Sequence, residues 1–441
     1  MSYEYLSKRL ENEGFETYLV GGAVRDRLLG KEIHDIDLTT RARPNDIMRI
    51  FSDLKLIDIG KKFGTIKVIY KSEEFEITSF RSESTYKDRR HPEKISFSDS
   101  IDEDLKRRDF TINAMAFRNG ELIDLFGGKK DLQNKLIRAV GNPYERIKED
   151  YLRAIRAVRF ATILDFEIES ELKKAISQMA SHIEDISKER IRDEVDKILL
   201  ADNPSRGIRL LDDLNLLEYI FPEVKSMIGF DQHSSHHNLD LFEHSMKVLD
   251  ISPKKLKTRM AALFHDTGKI DTFFIDKNGE GRFFGHQEIS EKIIRKRLKI
   301  LKYPKKFIEN TAILVRRHMD NTNTYTKKSV RKLLRKVGEE NIYDLFNLQK
   351  ADVLATAHDN TKNIILAKKF LEEILNSDVP SKEDQIDFSG KDLIELGFEE
   401  GKELGMILKE IYSLVMDEKL INKKSEIIKY IKNKYIDLDR N

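Results

Sequence analysis

The sequence predicts an α+β N-terminal region followed by an all-helical remainder, and two observations carry that expectation. Short strand-like runs, YLV before Gly21, DIDL, TIKVIY from Thr65, EFEITSF from Glu74 and LIDLF from Leu122, are confined to residues 16–126 and separated by glycine-bearing turns. From Pro143 onward apolar residues recur at spacings of three and four, as in Leu152, Ile155, Val158 and Ala161, with few breakers. The absence of cysteine excludes disulfides, a thiol nucleophile and Cys-ligated zinc, so any metal must rest on His and carboxylate ligands.

A chain of 441 residues is too long for one core, and its length suggests roughly three domains. Helices are expected at 23–29 and 46–53, a first boundary near 135–140, and further seams at 229–238 and 377–387. Lys+Arg 79 against Asp+Glu 77 leaves +2, so a polyanionic partner must be held by local basic patches. Charges at Glu4, Arg9 and Glu13 interrupt any signal-peptide core, and no apolar run reaches membrane-spanning length; a cytoplasmic location without a membrane partner is expected.

The run YLVGGAVRDRLLG is a strand, a Gly-Gly turn and a helix, an arrangement that can bring the N–H groups of Gly21 and Gly22 to a phosphate. By itself such a run is more often only a turn. In EIHDIDLTT, Asp35 and Asp37 stand at i and i+2 of a strand and share a face, with Ile36 and Leu38 opposite. Such a pair repels itself unless a cation intervenes, although a solvated strand end would carry the same spacing. Glu76, sharing a face with Glu74 and Thr78 in EFEITSF, adds a third carboxylate and favours Mg²⁺ completed by substrate phosphates. Two ions so held suit in-line phosphoryl transfer.

GGAVRD, DIDLTT, RRDFTINAMAF, DLFGGKKDL and RIKEDYLRAIRAVRF occur in this order over residues 18 to about 225. The series resembles the successive motifs of bacterial class II tRNA nucleotidyltransferases, the CCA-adding enzymes of the polymerase β superfamily. That resemblance implies metal-holding and catalytic roles for Asp35, Asp37 and Glu76, and a triphosphate site at Gly21, Gly22 and Arg25. It also implies contacts to the nucleotide's sugar and phosphates from Arg108, Asp109 and Asn113, and a head–neck hinge at Asp124, Gly127 and Gly128. Glu149, Asp150 and Arg153 match the base-selecting EDxxR motif, with Arg156 and Arg159 continuing the basic series. Asp150 and Arg153, at i and i+3 of an expected helix, can present an acceptor and a donor to cytosine or adenine, whereas guanine and uracil have reversed polarity. On spacing alone they describe an ordinary helical ion pair. The polar segment between Glu76 and Arg107 resembles the flexible loop that assists the switch from C to A addition, with Arg89 where the family usually has Gly.

Further along, His244, His265, Asp266, His286, His318 and Asp352 fall on separate expected helices in the spacing of an HD domain. A divalent transition metal would rest on His244, His265, Asp266 and Asp352, although a metal-free HD fold would keep the same residues as buried hydrogen-bonding partners. If active, the site would hydrolyse a phosphoester such as a 2′,3′-cyclic tRNA end. His233, His236 and His237 read as solvated loop residues, and the basic runs 293–306 and 419–434 as either tRNA contacts or solvated helix faces.

The expected architecture is therefore a polymerase β-like nucleotidyltransferase head (1–138), a helical neck that selects nucleotide and binds RNA (139–228), an HD-type helical domain (229–376) and a helical tail (377–441). The expected activity is addition of CMP, CMP and AMP to tRNA from CTP and ATP with Mg²⁺. The alternatives are A-addition only, poly(A) polymerase, an HD phosphohydrolase that uses its N-terminal half to hold tRNA, and a non-catalytic tRNA-binding module. The spelling EDYLR disfavours poly(A) polymerase, which usually shows Pro after ED. Oligomeric state is not legible.

Overall fold

Alternation of apolar and polar residues in the N-terminal quarter builds a seven-stranded mixed sheet in the computed structural model, which describes residues 2–33, 36–82, 96–233, 239–320, 324–356, 361–376, 385–416 and 419–436. The order along the chain is α1 (Ser2–Asn12), β1 (Thr17–Val20), α2 (Gly22–Leu28), β2 (Ile36–Thr40), α3 (Pro44–Ile50), β3 (Lys55–Gly60), β4 (Thr65–Tyr70), β5 (Glu73–Ser79), α4 (Ile101–Lys106), β6 (Ala116–Arg118) and β7 (Glu121–Ile123). In space the strands run β3-β4-β5-β2-β1-β6-β7. All pairs are antiparallel except β2 with β5, whose parallel register sets Asp37 opposite Glu76 and Leu38 opposite Ile77. Register partners project to the same face. Leu38, Ile66, Val68, Phe75 and Ile77 are therefore buried on one side, where Ile47 and Phe51 are also fully buried, and Asp37, Thr39, Glu76, Thr78 and Thr65 line a cavity on the other. Each fully buried large apolar side chain contributes about 1.5–3 kcal/mol, which makes a one-residue register slip prohibitive.

Several local expectations need correction. Helix α1 and strands β3 and β6 carry no strong periodic signal because they are short and charge-rich or embedded in the RRDFTINAMAF motif, and LIDLF leaves the sheet at Ile123. The segment 80–106 is not one loop. Ser82 N donates to Ser96 O at 2.9 Å and Ser98 N to Phe80 O at 2.9 Å, and the segment ends in α4 with Ser100 as N-cap. Residues 83–95, including Arg89, lie outside the described residues.

Asp124 and the Gly127–Gly128 pair build a helix start. Asp124 caps α5 (Gly128–Gln133), accepting from Gly128 N at 2.7 Å and Lys129 N at 2.9 Å. Gly127 sits at φ +76°, and a Cβ on Gly128 would lie 2.2 Å from the Thr111 carbonyl oxygen. Glycine is required here for close approach of backbone to backbone, just where the turn carrying Asn113 begins. Gly128→Ala is expected to destabilise the chain by about 1–3 kcal/mol through overpacking, read as a lower urea midpoint with an unchanged slope.

The chain divides into two compact units, Met1–Ser226 with Ile300–Tyr303, and Met227–Lys299 with Pro304–Asn441. In the first, the sheet is followed by β8 (Leu136–Ile137), α6 (Pro143–Glu149), α7 (Leu152–Leu164), β9 (Glu167–Ile168), α8 (Ser170–Gln178), α9 (Lys188–Leu199), α10 (Pro204–Asp213), α11 (Leu217–Ile220) and α12 (Pro222–Lys225). Small residues let α7, α9 and α10 close up: a Cβ on Gly207 would meet Ile198 Cγ2 at 2.3 Å and Thr162 Oγ1 at 2.9 Å.

The second unit contains α13 (Leu241–Ile251), α14 (Leu256–Phe264), α15 (Lys269–Thr272), the ribbon β10 (Phe274–Ile275) and β11 (Gly281–Arg282), α16 (His286–Ile300), α17 (Lys305–Arg317), α18 (Lys327–Val337), α19 (Glu339–Ala355) and α20 (Lys362–Leu375). Helices α21 (Gly390–Glu395), α22 (Lys402–Met416) and α23 (Lys424–Ile431) enclose their own core of Phe388, Leu393, Ile407, Ile411, Ile427 and Ile431. The seam residues 377–384 lie outside the described residues. Among the described residues, no helix is long and apolar enough to cross a membrane.

Candidate active site

In the first unit, the end of β1 turns at Gly21, whose φ of +67° suits glycine, directly into α2. A Cβ there would meet Arg108 Nη1 at 3.2 Å and Asp37 Oδ2 at 3.6 Å, so the turn, the β2 carboxylate and the Arg108 guanidinium converge on one point. Glu76, in register with Asp37, faces the same cavity and lies 3.7 Å from Lys67 Nζ. Asp35 lies outside the described residues. The cavity measures about 760 Å³, a volume that suits a nucleotide, and eight arginines and Lys197 line it against five carboxylates. That excess of positive charge favours a polyanion.

Behind the turn runs a network that fixes the basic side chains. Arg25 donates to both oxygens of Asp26 at 2.8 and 3.0 Å and to Asn113 Oδ1 at 2.9 Å, with its guanidinium 5.3 Å from the Phe160 ring. Arg107 and Arg108 converge on the fully buried Asp104 at 2.5 and 3.1 Å. Asp109 accepts from Arg156 Nε at 2.8 Å and Nη2 at 2.6 Å, and from Asn113 Nδ2 at 3.3 Å. Burial opposes ionisation of Asp109, but Arg156, helped by Arg153, outweighs it and holds the carboxyl down to about 2. Asp109 in turn raises Arg156 above its ordinary value against the effect of burial. Arg159 donates to the buried Glu194 at 3.3 Å and stacks 4.1 Å from Phe160; burial, only partly offset by Glu194, brings it down to about 10. The buried Nε–H groups of Arg108 and Arg159 find no acceptor among the described residues.

Asp150 and Arg153 both line the cavity, but not as a helical i, i+3 pair. Asp150 is extended (φ −152°, ψ 103°) between α6 and α7, because its carboxylate caps the next helix by accepting from Leu152 N at 3.1 Å. Its other oxygen accepts from Arg190 Nη2 at 2.6 Å. Arg153 is held by Glu149 and by the carbonyls of Arg146 at 2.8 Å and Arg107 at 3.1 Å. Each of the two is thus oriented by a third group.

Asp104, Arg190, Glu194 and Phe160 are absent from the residues singled out by sequence. Asp104 has a local signal, three and four residues before Arg107 and Arg108. Arg190 and Glu194 lie on α9, whose heavily charged sequence KERIRDEVDKIL gives no hint of which charges turn inward.

A second cluster lies wholly within the second unit. His244 Nε2 is 3.0 Å from Asp352 Oδ1 and 3.8 Å from Asp266 Oδ2, and His265 Nε2 is 3.3 Å from Asp266 Oδ2 and 3.7 Å from Asp352 Oδ1. His286 and His318, not among the expected ligands, stand 3.3 and 3.6 Å from Asp266 Oδ1. Lys269 reaches Asp266 Oδ2 at 2.7 Å. Burial opposes a charged ring at His265, but Asp266 and Asp352 outweigh it and lift it to about 10. His265 Nε2 is buried without a hydrogen-bond partner among the described residues. Of the loop histidines, His233 is about half exposed, while His236 and His237 lie outside the described residues. Parts of the basic runs are already paired, Arg295 with Glu291 and Glu309 at 2.9 and 2.6 Å and Lys434 with Glu410.

A mixed sheet whose Gly-Gly turn meets strand carboxylates beneath a basic cavity defines a nucleotidyltransferase head, and the poly A polymerase head domain matches residues 17–138. The model described as "Probable RNA and SrmB- binding site of polymerase A" matches 165–228, and the HD domain matches 236–368. The chain belongs to the CCA-adding enzyme family. It is 34% identical to the CCA-adding enzyme of Streptococcus gordonii over 433 residues, 97% of this chain and 96% of that protein. Identity with the CCA-adding enzyme of Ligilactobacillus salivarius is 47% over 230 residues, and that match spans about half of each, 51% of this chain and 56% of the relative. The crystal structure of Bacillus stearothermophilus CCA-adding enzyme in complex with CTP aligns with a TM-score of 0.75 at 27% identity, covering 99% of this chain and 97% of that one.

Proposed function

We propose that this chain adds CMP, CMP and AMP to the 3′ end of tRNA, using CTP and ATP. The observation that carries the reading is the convergence of Gly21, Arg108 and Asp37, with Glu76 in register, at a cavity of nucleotide size and positive charge. The tRNA 3′ oxygen attacks the α-phosphorus of the nucleotide, the bond to the bridging oxygen breaks, and pyrophosphate leaves. Asp37 and Glu76 with Asp35 hold Mg²⁺, which supplies charge neutralisation at the reacting phosphate when bound. Gly21 and Gly22 let backbone approach the triphosphate, and Arg25, braced by Asp26 and Asn113, neutralises it. Arg108, Asp109 and Asn113 contact sugar and phosphates, with Arg156 fixing Asp109 and Glu194 fixing Arg159.

Base choice rests on Asp150 as acceptor and Arg153 as donor. Both are oriented before the nucleotide enters, so guanine or uracil would set acceptor against acceptor and donor against donor. The division into head 1–138, neck 139–228, HD domain 229–376 and tail 377–441, and a cytoplasmic location, complete the reading.

A second activity is favoured by the orphaned His265 Nε2: His244, His265, Asp266 and Asp352 hold a divalent transition metal that serves phosphoester hydrolysis. The deciding experiment for the first reading supplies tRNA transcripts ending at the discriminator base or at CC with Mg²⁺ and each labelled nucleotide, singly and in pairs. Incorporation of CMP into the shorter transcript, then a single AMP, is expected. Extension of the CC-ended transcript alone would make the chain an A-adding enzyme, a long A-tail would make it a poly(A) polymerase, and no extension would overturn the proposal.

A further inference from the structure

We infer that Phe160 is a positioning residue for nucleotidyl transfer, whose ring gathers Arg25, Arg156 and Arg159 and keeps their positive charge assembled at the triphosphate. The inference rests on the reading of the cavity as a nucleotide site with Arg25 at the triphosphate, and deepens it. Its first support is that three guanidiniums stand over one ring, at 5.3 Å from the centroid for Arg25, 5.5 Å for Arg156 and 4.1 Å for Arg159. A guanidinium within about 6 Å of a ring centroid is attracted by the negative face of the ring, and strong cases occur about once in 70–80 residues. Chance scatter of arginines does not place three of them on one buried side chain.

The second support is where the three come from. Arg25 is on α2, directly behind the Gly21–Gly22 turn, whereas Arg156 and Arg159 are on α7, the helix that also carries Arg153. Arg153, Arg156 and Phe160 follow at i, i+3 and i+7, so they share one helix face, and all three line the cavity. Phe160 is therefore the side chain at which the phosphate end of the site meets the helix bearing the base-reading arginine. Phe110 fixes the tilt of the ring, meeting it edge to face at 5.8 Å and 81°.

The third support is electrostatic. Like charges crowded around one ring repel, and a buried site screens them poorly. Burial, with Arg156 and Arg25 beside it, brings Arg159 down against the pull of Glu194. Each arginine already has one carboxylate, Asp26 for Arg25, Asp109 for Arg156 and Glu194 for Arg159. A further acid would cancel the charge that a triphosphate has to meet. An aromatic face attracts each cation and adds no charge of its own, so the arginines stay together and stay positive. Leucine would occupy much the same place and supply no such attraction.

The test replaces Phe160 in the full chain by phenylalanine carrying one, two or three ring fluorines, which withdraw electron density from the ring face and leave its shape nearly unchanged. The readout is kcat/KM for CTP and for ATP on tRNA transcripts with Mg²⁺. A stepwise fall for both nucleotides is expected, reaching about 10-fold at three fluorines, with Phe160→Leu losing at least as much. A flat fluorine series beside an impaired Phe160→Leu chain would mean that only the volume of the ring matters, and would overturn the inference while the proposed function stands. No incorporation by the unsubstituted chain would sink the proposed function and the inference together. The fluorinated rings preserve the packing, so the series decides even where Phe160→Leu fails to fold.

Discussion

Asp37→Asn is expected to lower incorporation of both CMP and AMP by at least about 10³-fold, with nucleotide binding little changed. The substitution preserves shape, so β2 keeps its register with β1 and β5 and the turn at Gly21 is undisturbed. What is lost is one negative charge at the point where the turn, Arg108 and the strand face meet. Metal stabilisation of phosphoryl transfer supplies several kcal/mol, and about 4 kcal/mol corresponds to about 10³ in rate. Arg25 and the backbone of Gly21 and Gly22 remain to hold a triphosphate, so the loss falls on kcat rather than KM. Glu76→Gln is expected to cost less, about 10- to 10²-fold, since its side chain is nearly half exposed and already neighbours Lys67. Single-turnover incorporation on a transcript ending in CC checks both, and an Asp37→Asn enzyme that keeps a tenth of its rate would contradict the metal assignment.

The legibility of this site in the sequence follows the locality of its physics. Asp37 and Glu76 could be placed on cavity-facing sides of their strands because a period of two is a property of each strand by itself. That they stand opposite one another depends on parallel pairing of β2 with β5, a long-range choice no local pattern announces. Asp150 shows the reverse failure. Spacing suggested a helical pair with Arg153, yet an aspartate preceding a helix competes for its free N–H groups, and capping of α7 prevailed. Gly128 sits in close packing, because the feature that decides, the Thr111 carbonyl, is about 17 residues away in sequence but 2.2 Å from where its side chain would begin, whereas Gly127 does use its free φ, at +76°. In the second unit the same asymmetry holds. The adjacent His265 and Asp266 are a local signal, whereas recruitment of His286 and His318 depends on how α16 and α17 pack.

Asp109→Asn is expected to destabilise the chain by about 3 kcal/mol at pH 7, and about 2 kcal/mol of that deficit should be lost in acid. Asp109 is buried and takes two hydrogen bonds from Arg156, so an amide there leaves a mostly desolvated guanidinium without its counter-charge. Breaking a buried pair by removing one partner costs about 3–5 kcal/mol, and the lower figure applies because Arg156 is partly exposed and Glu194 stands 3.9 Å away. The folded carboxyl ionises at about 2, below its ordinary 3.8, so its contribution is fully present above pH 3.8 and is lost as pH falls through about 2. At 1.36 kcal/mol per unit this amounts to about 2 kcal/mol of pH-dependent stability. The chain has no tryptophan, so urea unfolding followed by circular dichroism at pH 7, 5, 4 and 3 is the suitable readout. The gap between wild type and variant should hold constant from pH 7 to 5 and narrow from pH 4 downward. A gap that stays the same to pH 3 would mean that shape at Asp109, rather than its charge, holds Arg156 in the cavity wall. In that case nucleotide affinity should survive the substitution, whereas a charge role predicts a raised KM for both CTP and ATP as Arg156 and Asn113 lose their common acceptor.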